Sequence, residues 1–162
     1  MANFISKNII LFSIAIALFM LCFSSKEAVA DEGTATFYTP PYVPSACNGF
    51  ENDGVMIAAA SDAFWGNGAA CGRKYKVTCT GATNQGVAHP CRGSDGVVVK
   101  IVDYCPSPAC RGTIDLSQEA FAAIADPDAG KIEISIEQYV NLMIIQANVI
   151  TYSINALSSS CN

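Results

Sequence analysis

After residue 30, apolar and polar residues alternate with period two over several short stretches, each closed by Gly, Pro or Asn. Residues 34–38 are rich in β-formers and stop at Pro40-Pro41. Residues 55–60 read as a small apolar strand. Over 74–79, Tyr75, Val77 and Cys79 alternate with Lys74, Lys76 and Thr78. The most apolar run, 97–102, predicts a central strand. In 131–136 the period is strict, with Ile132, Ile134 and Ile136 inward and Lys131, Glu133 and Ser135 outward. One helix is well signalled. Ser117 is placed as its N-cap, Leu116 and Phe121 stand at the positions of a hydrophobic staple, and Asp126-Pro127 ends it. A short turn or helix is expected near 61–65. Many short strands with little helix predict a closed or nearly closed β-barrel. No internal repeat and no second-domain linker interrupts the pattern.

The two ends of the chain follow other rules. Lys7, an apolar run over 9–23 and the small-x-small sequence Ala28-Val29-Ala30 are the three parts of a signal peptide. That run is shorter than the roughly 20 residues a spanning helix needs. The expected division is therefore a signal peptide at 1–30, a domain at 31–137 and an atypical tail at 138–162. In the tail, Val140, Leu142, Met143, Ile144 and Ile145 are interrupted by Asn141, Gln146, Asn148 and Asn155. The interruptions argue against a membrane span, and the ending Ser158-Ser159-Ser160-Cys161-Asn162 argues against a lipid-anchor signal. An element docked on the barrel and an association-prone tail both remain open.

Charge and cysteine content narrow the partners. The chain has 9 basic and 14 acidic residues; without Lys7, Lys26 and Glu27, 7 and 13 remain, a net charge of −6. With no run of Lys or Arg, nucleic acid is an unsuitable partner. No Asn-x-Ser/Thr sequon is present. Of 8 cysteines, Cys22 falls in the signal peptide and Cys161 stands next to the end. Cys47, Cys71, Cys79, Cys91, Cys105 and Cys110 cluster, which in an exported chain reads as three disulfides with about fifteen possible pairings. With the single His89 before Pro90 and no CxxC pair, no metal site and no cofactor are expected. A monomer is expected, with a Cys161-linked dimer as the alternative.

Three features then coincide: Ala35-Thr36-Phe37-Tyr38 in the first strand, Cys71-Gly72 before the third, and Asp103 at the end of the central strand. Asp115 follows twelve residues on, in Thr113-Ile114-Asp115-Leu116-Ser117. The set resembles the barwin/expansin-like superfamily, and within it the plant natriuretic peptides, or family-45-endoglucanase-like domain proteins. The resemblance covers residues 31–136 and implies a six-stranded double-psi β-barrel with one to three short helices. It implies the pairs Cys47–Cys71, Cys79–Cys91 and Cys105–Cys110. Closing the first loop is worth about 3 kcal/mol on the loop-entropy model. It also implies a sugar-binding groove, with Thr36, Tyr38, Asp103 and Asp115 matching expansin groove residues. Thr113 and Ile114 depart from the His-Phe that precede the matching Asp in expansins. Trp65, in Phe64-Trp65-Gly66-Asn67-Gly68, joins the set as a sugar-stacking candidate if exposed; a buried ring is the favoured reading, with Phe64 as the competing core residue.

Glycoside hydrolysis usually needs two carboxylates flanking the bond. Asp115 resembles the catalytic acid of the related endoglucanases, but the first strand carries no partner carboxylate, and Glu32 stands too near the mature N-terminus. No catalytic residue is therefore assigned. Each groove candidate also has a plain structural reading: Asp115 near a helix start, Asp103 satisfying loop amides, and Tyr38 in the core. The resemblance implies a protein secreted to the plant apoplast that acts as a signal in water and solute homeostasis and stress, through a cell-surface receptor. The alternatives are a non-hydrolytic binder of wall polysaccharide and a residual glycan-cleaving enzyme.

Overall fold

Three buried isoleucines decide how the sheet closes. The computed structural model describes residues 30–83 and 86–139; the signal-peptide reading on 1–29 and the tail reading on 140–162 lie outside them. Within it, Ile132, Ile134 and Ile136 point inward from the last strand, which hydrogen-bonds to both the first and the third. The strands are β1 (Asp31–Tyr38), β2 (Ile57–Ser61), β3 (Lys74–Ala82), β4 (Val97–Cys105), β5 (Ile114–Ser117) and β6 (Ile132–Gln138). They form a closed barrel in the order β1-β5-β2-β4-β3-β6. The β1–β5 and β2–β4 pairs are parallel and the other four antiparallel. This is a double-psi β-barrel.

The barrel is filled by aliphatic side chains at alternate positions, among them Val77, Val99, Ile101, Ile114 and Leu116. Helix α1 (Asp62–Trp65) follows β2, and helix α2 (Gln118–Ile124) follows β5. Ser117 caps α2: its hydroxyl oxygen accepts from the Ala120 N–H at 3.1 Å and its hydroxyl donates to the Val55 carbonyl. Leu116 and Phe121 are fully buried on either side of that cap, and Phe121 packs on Phe37 with ring centroids 4.9 Å apart.

Residues 39–56 form a strap across the outer face of β5, β2 and β4. The Cys47 N–H donates to Val102 O, and the Lys100 ammonium meets Asp53 at 2.6 Å. Three disulfides brace the molecule. Cys47–Cys71 ties the strap to the segment before β3, Cys79–Cys91 ties β3 to the following loop, and Cys105–Cys110 closes the loop after β4.

Several boundaries differ from the sequence reading. β2 begins at Ile57, because Val55 and Met56 belong to the strap and are exposed. β1 starts three residues earlier than expected, at Asp31, where backbone pairing with β6 outweighs the poor β-propensity of Asp-Glu-Gly. β3 runs on to Ala82, and β6 ends at Gln138, inside the stretch assigned to the tail. β4 continues past the expected end to Cys105, beyond a register shift between Ala58 and Ala59 of β2.

Candidate functional site

That register shift builds the site. Ala58 pairs with Ile101, but Ala59 pairs with Asp103, so β4 carries one extra residue, Val102. A bulge of this kind re-aims side chains. Here it brings Asp103 level with Ala59, which on its other side pairs with Asp115, while Asp115 pairs with Thr36. Thr36, Asp115, Ala59 and Asp103 thus form one row across four adjacent strands. The two carboxylate-bearing residues stand two strand spacings apart, roughly 9.5 Å. Between them, Ala59 leaves a floor with almost no side chain.

Each carboxylate has a distinct setting. Asp115 accepts from the Thr36 hydroxyl at 2.6 Å. Burial raises its pKa above the usual aspartate value, and the Thr36 hydrogen bond opposes the rise. Asp103 is a clamp: its Oδ1 accepts the N–H groups of Ala46 and Tyr104, both at 2.9 Å, and so pins the strap to β4.

Tyr38 lies in the field of both acids. Burial first, then the charges of Asp103 and Asp115, hold its phenol well above the usual tyrosine range. Its ring meets Tyr42 edge-on at 5.2 Å. Among the described residues, its hydroxyl is the buried side-chain polar atom without a protein partner, an arrangement that costs about 1–3 kcal/mol. Tyr42 in turn donates to Glu119 at 2.6 Å. Burial and this hydrogen bond push the Tyr42 hydroxyl up to about 12.

Trp65 departs from the buried position expected of it. It is half-buried and stacks on Tyr104, with centroids 4.9 Å apart and planes at 23°. The Tyr104 hydroxyl bonds to Asp62. The structure therefore brings Thr36, Tyr38, Asp103 and Asp115 together, and joins Trp65 to them only through Tyr104. Sequence reading missed Tyr104, Tyr42 and Glu119. Tyr104 had a signal, an aromatic residue directly after the candidate Asp103; Tyr42 and Glu119 had none, because their partnership is set by how the strap folds back. His89 is exposed. Among the described residues, no group of three His, Cys, Asp or Glu side chains is placed to hold a metal ion. None of the helices there is long and apolar enough to cross a membrane.

The topology and this row define the class: an expansin-like double-psi β-barrel. The family model described as "Lytic transglycolase" matches residues 57–136. An EG45-like domain containing protein of Citrus jambhiri is 65% identical over 125 residues, covering 77% of this chain and 94% of that protein. The putative EG45-like domain containing protein 1 of Arabidopsis thaliana is 51% identical over 129 residues, covering 80% and 96%. The chain belongs to the family of EG45-like domain containing proteins. Among solved structures, a mutant Clavibacter michiganensis expansin in complex with cellohexaose aligns with a TM-score of 0.50 and 28% identity over 69% of this chain. The chain spans about half of that expansin's length, 51%. The Streptomyces papain inhibitor aligns with a TM-score of 0.50 and 26% identity over 69% of this chain and 96% of its own.

Proposed function

We propose that the protein is secreted to the plant apoplast and binds wall polysaccharide there without cleaving it. Its role in water and solute homeostasis would be exercised through that contact. The carrying observation is the row Thr36–Asp115–Ala59–Asp103, a polar trough, with the stacked Tyr104–Trp65 pair at the end of β4, directly after Asp103 in sequence. Trough acids hydrogen-bond sugar hydroxyls, and an aromatic face takes the apolar face of a sugar ring. The expansin neighbour, solved with cellohexaose, supports this reading. Cleavage is not part of it, because Asp103 is committed to two backbone amides and β1 has no carboxylate beside Thr36.

The test is retention on insoluble cellulose, xylan and pectin. Wild type is expected to be retained, and Tyr104→Ala and Asp115→Asn to lose most of that retention. Tyr38→Phe separates binding from folding. It removes an orphaned hydroxyl, so the fold should hold or gain, while retention falls if the hydroxyl serves a ligand. A protein that passes through every wall fraction unretained overturns the reading. Reducing ends released from these polysaccharides by wild type but not by Asp115→Asn would establish cleavage instead.

A second reading is inhibition of papain-type cysteine proteases. The Streptomyces papain inhibitor is covered almost end to end by this barrel. What favours the reading on this chain is Phe50, 82% exposed on a braced loop that the glycan trough does not use.

A further inference from the structure

Phe50 is an aromatic side chain that the fold holds outward. Val55 and Met56 of the same strap are also exposed, at 44% and 42%. Phe50 is the most exposed of these apolar side chains, and an aromatic ring held in solvent on a fixed backbone is suited to contact a partner. The backbone beneath them is fixed at many points. Ser45 and Gly49 exchange two backbone hydrogen bonds, at 2.8 and 3.0 Å, and the Glu51 N–H donates to Asn48 O at 3.2 Å. The Asn48 amide donates to Asp53 at 2.7 Å, Asp53 is held by Lys100, and Cys47 is bonded to Cys71. Gly49 and Gly54, with φ of 60° and 79°, turn the chain on either side of Phe50 through conformations that residues with a Cβ rarely adopt.

The outcome is a convex projection with an aromatic tip on a preset backbone. Its complement is concave, a cleft with an apolar pocket, and an extended wall glycan offers no such pocket. We propose that residues 47–56, with Phe50 as anchor, insert into the substrate cleft of a papain-type cysteine endopeptidase and block it. This rests on the protease-inhibitor reading above and assigns it a site. A loop already fixed in its bound shape loses little freedom on docking. A single buried aromatic anchor commonly carries a large share of such an interface. The trough and the projection are then separate sites, one for a glycan and one for a protein.

The test uses the secreted protein and active-site-titrated papain, assayed on a fluorogenic peptide. Wild type is expected to inhibit competitively, raising KM and leaving kcat unchanged. Phe50→Ala should weaken inhibition by roughly 30-fold or more, and Phe50→Tyr should restore most of it. An unchanged melting curve and unchanged wall retention for Phe50→Ala would show that fold and trough are intact. If Phe50→Ala inhibits as well as wild type, the loop is the wrong site although the inhibitor reading stands. If wild type in large excess leaves papain untouched, both are overturned.

Discussion

The barrel has two walls built on different principles. In the β3–β6 wall, alternation does the work: Val77 and Cys79 of β3 stand beside Ile136 and Ile134 of β6 on the inner face, and lysines and glutamates face outward. In the β5–β2–β4 wall the outer face is covered as well. There Ile57 and Val102 are buried under a strap that leaves a cavity of about 290 Å³ above them, bordered by Tyr42, Val43 and Val55. The strap is held by polar pins and a disulfide rather than by close packing. A wall built from hydrophobic contacts tolerates few changes anywhere, whereas a pinned wall depends on a handful of named groups. Asp103 and Asp115, members of the candidate trough, belong to the pinned wall.

The comparison can be broken or sharpened in order of effect. Phe121→Ala, in the packed interior, is expected to cost about 3–5 kcal/mol in urea unfolding; a cost below 1 would mean that the interior is looser than its burial implies. The double change Cys47→Ser, Cys71→Ser releases the strap across a separation of 24 residues. It should cost about 3 kcal/mol, and limited proteolysis should then cut first within 39–56. Asp103→Ala leaves the amides of Ala46 and Tyr104 to water and should cost about 1 kcal/mol. Asp103→Asn keeps an acceptor and should cost less.

The smallest effect is one of sign. Because burial raises the folded-state pKa of Asp115 above its ordinary value of 3.8, the folded state binds more protons than the unfolded state between those two values. Stability from this residue therefore falls as pH rises through that window, and the full penalty is present above it. Asp115→Asn retains an acceptor for Thr36 and removes the charge. It should match or exceed wild type in stability at neutral pH, with the difference closing as pH falls into the carboxylate range. Thermal melts at pH 7 and pH 3.5 check this, and a variant less stable at both would contradict it.

The same contrast explains what could be read from the chain. Ile132, Ile134 and Ile136 announce β6, and Leu116, Ser117 and Phe121 announce the start of α2, because each pattern is local and repeats a known geometry. β5 escaped, since four residues, Ile114–Ser117, are too few to show a period. The trough was legible only in part. Resemblance named Thr36, Tyr38, Asp103 and Asp115, but no periodicity shows that a one-residue bulge at Val102 sets Asp103 beside Ala59. Val55 and Met56 misread as strand for a related reason. They are apolar and contiguous with β2, but the strap decides where they point. Pins such as Tyr42–Glu119 join residues 77 apart, and nothing in the local sequence marks either end.

Ser117 sits at the end of β5, where the strap meets helix α2. Its one hydroxyl holds the Val55 carbonyl of the strap and the Ala120 amide of the helix at the same time. Lifting the strap therefore strips the Ser117 hydroxyl of the acceptor that fixes its orientation as the helix cap. In the language of native-state opening, the two behave as one cooperative unit and share a local free energy. Hydrogen exchange would show it: the Ala120 amide and the Cys47 amide should lose protection together in Ser117→Ala, while the β3–β6 ladder exchanges as before.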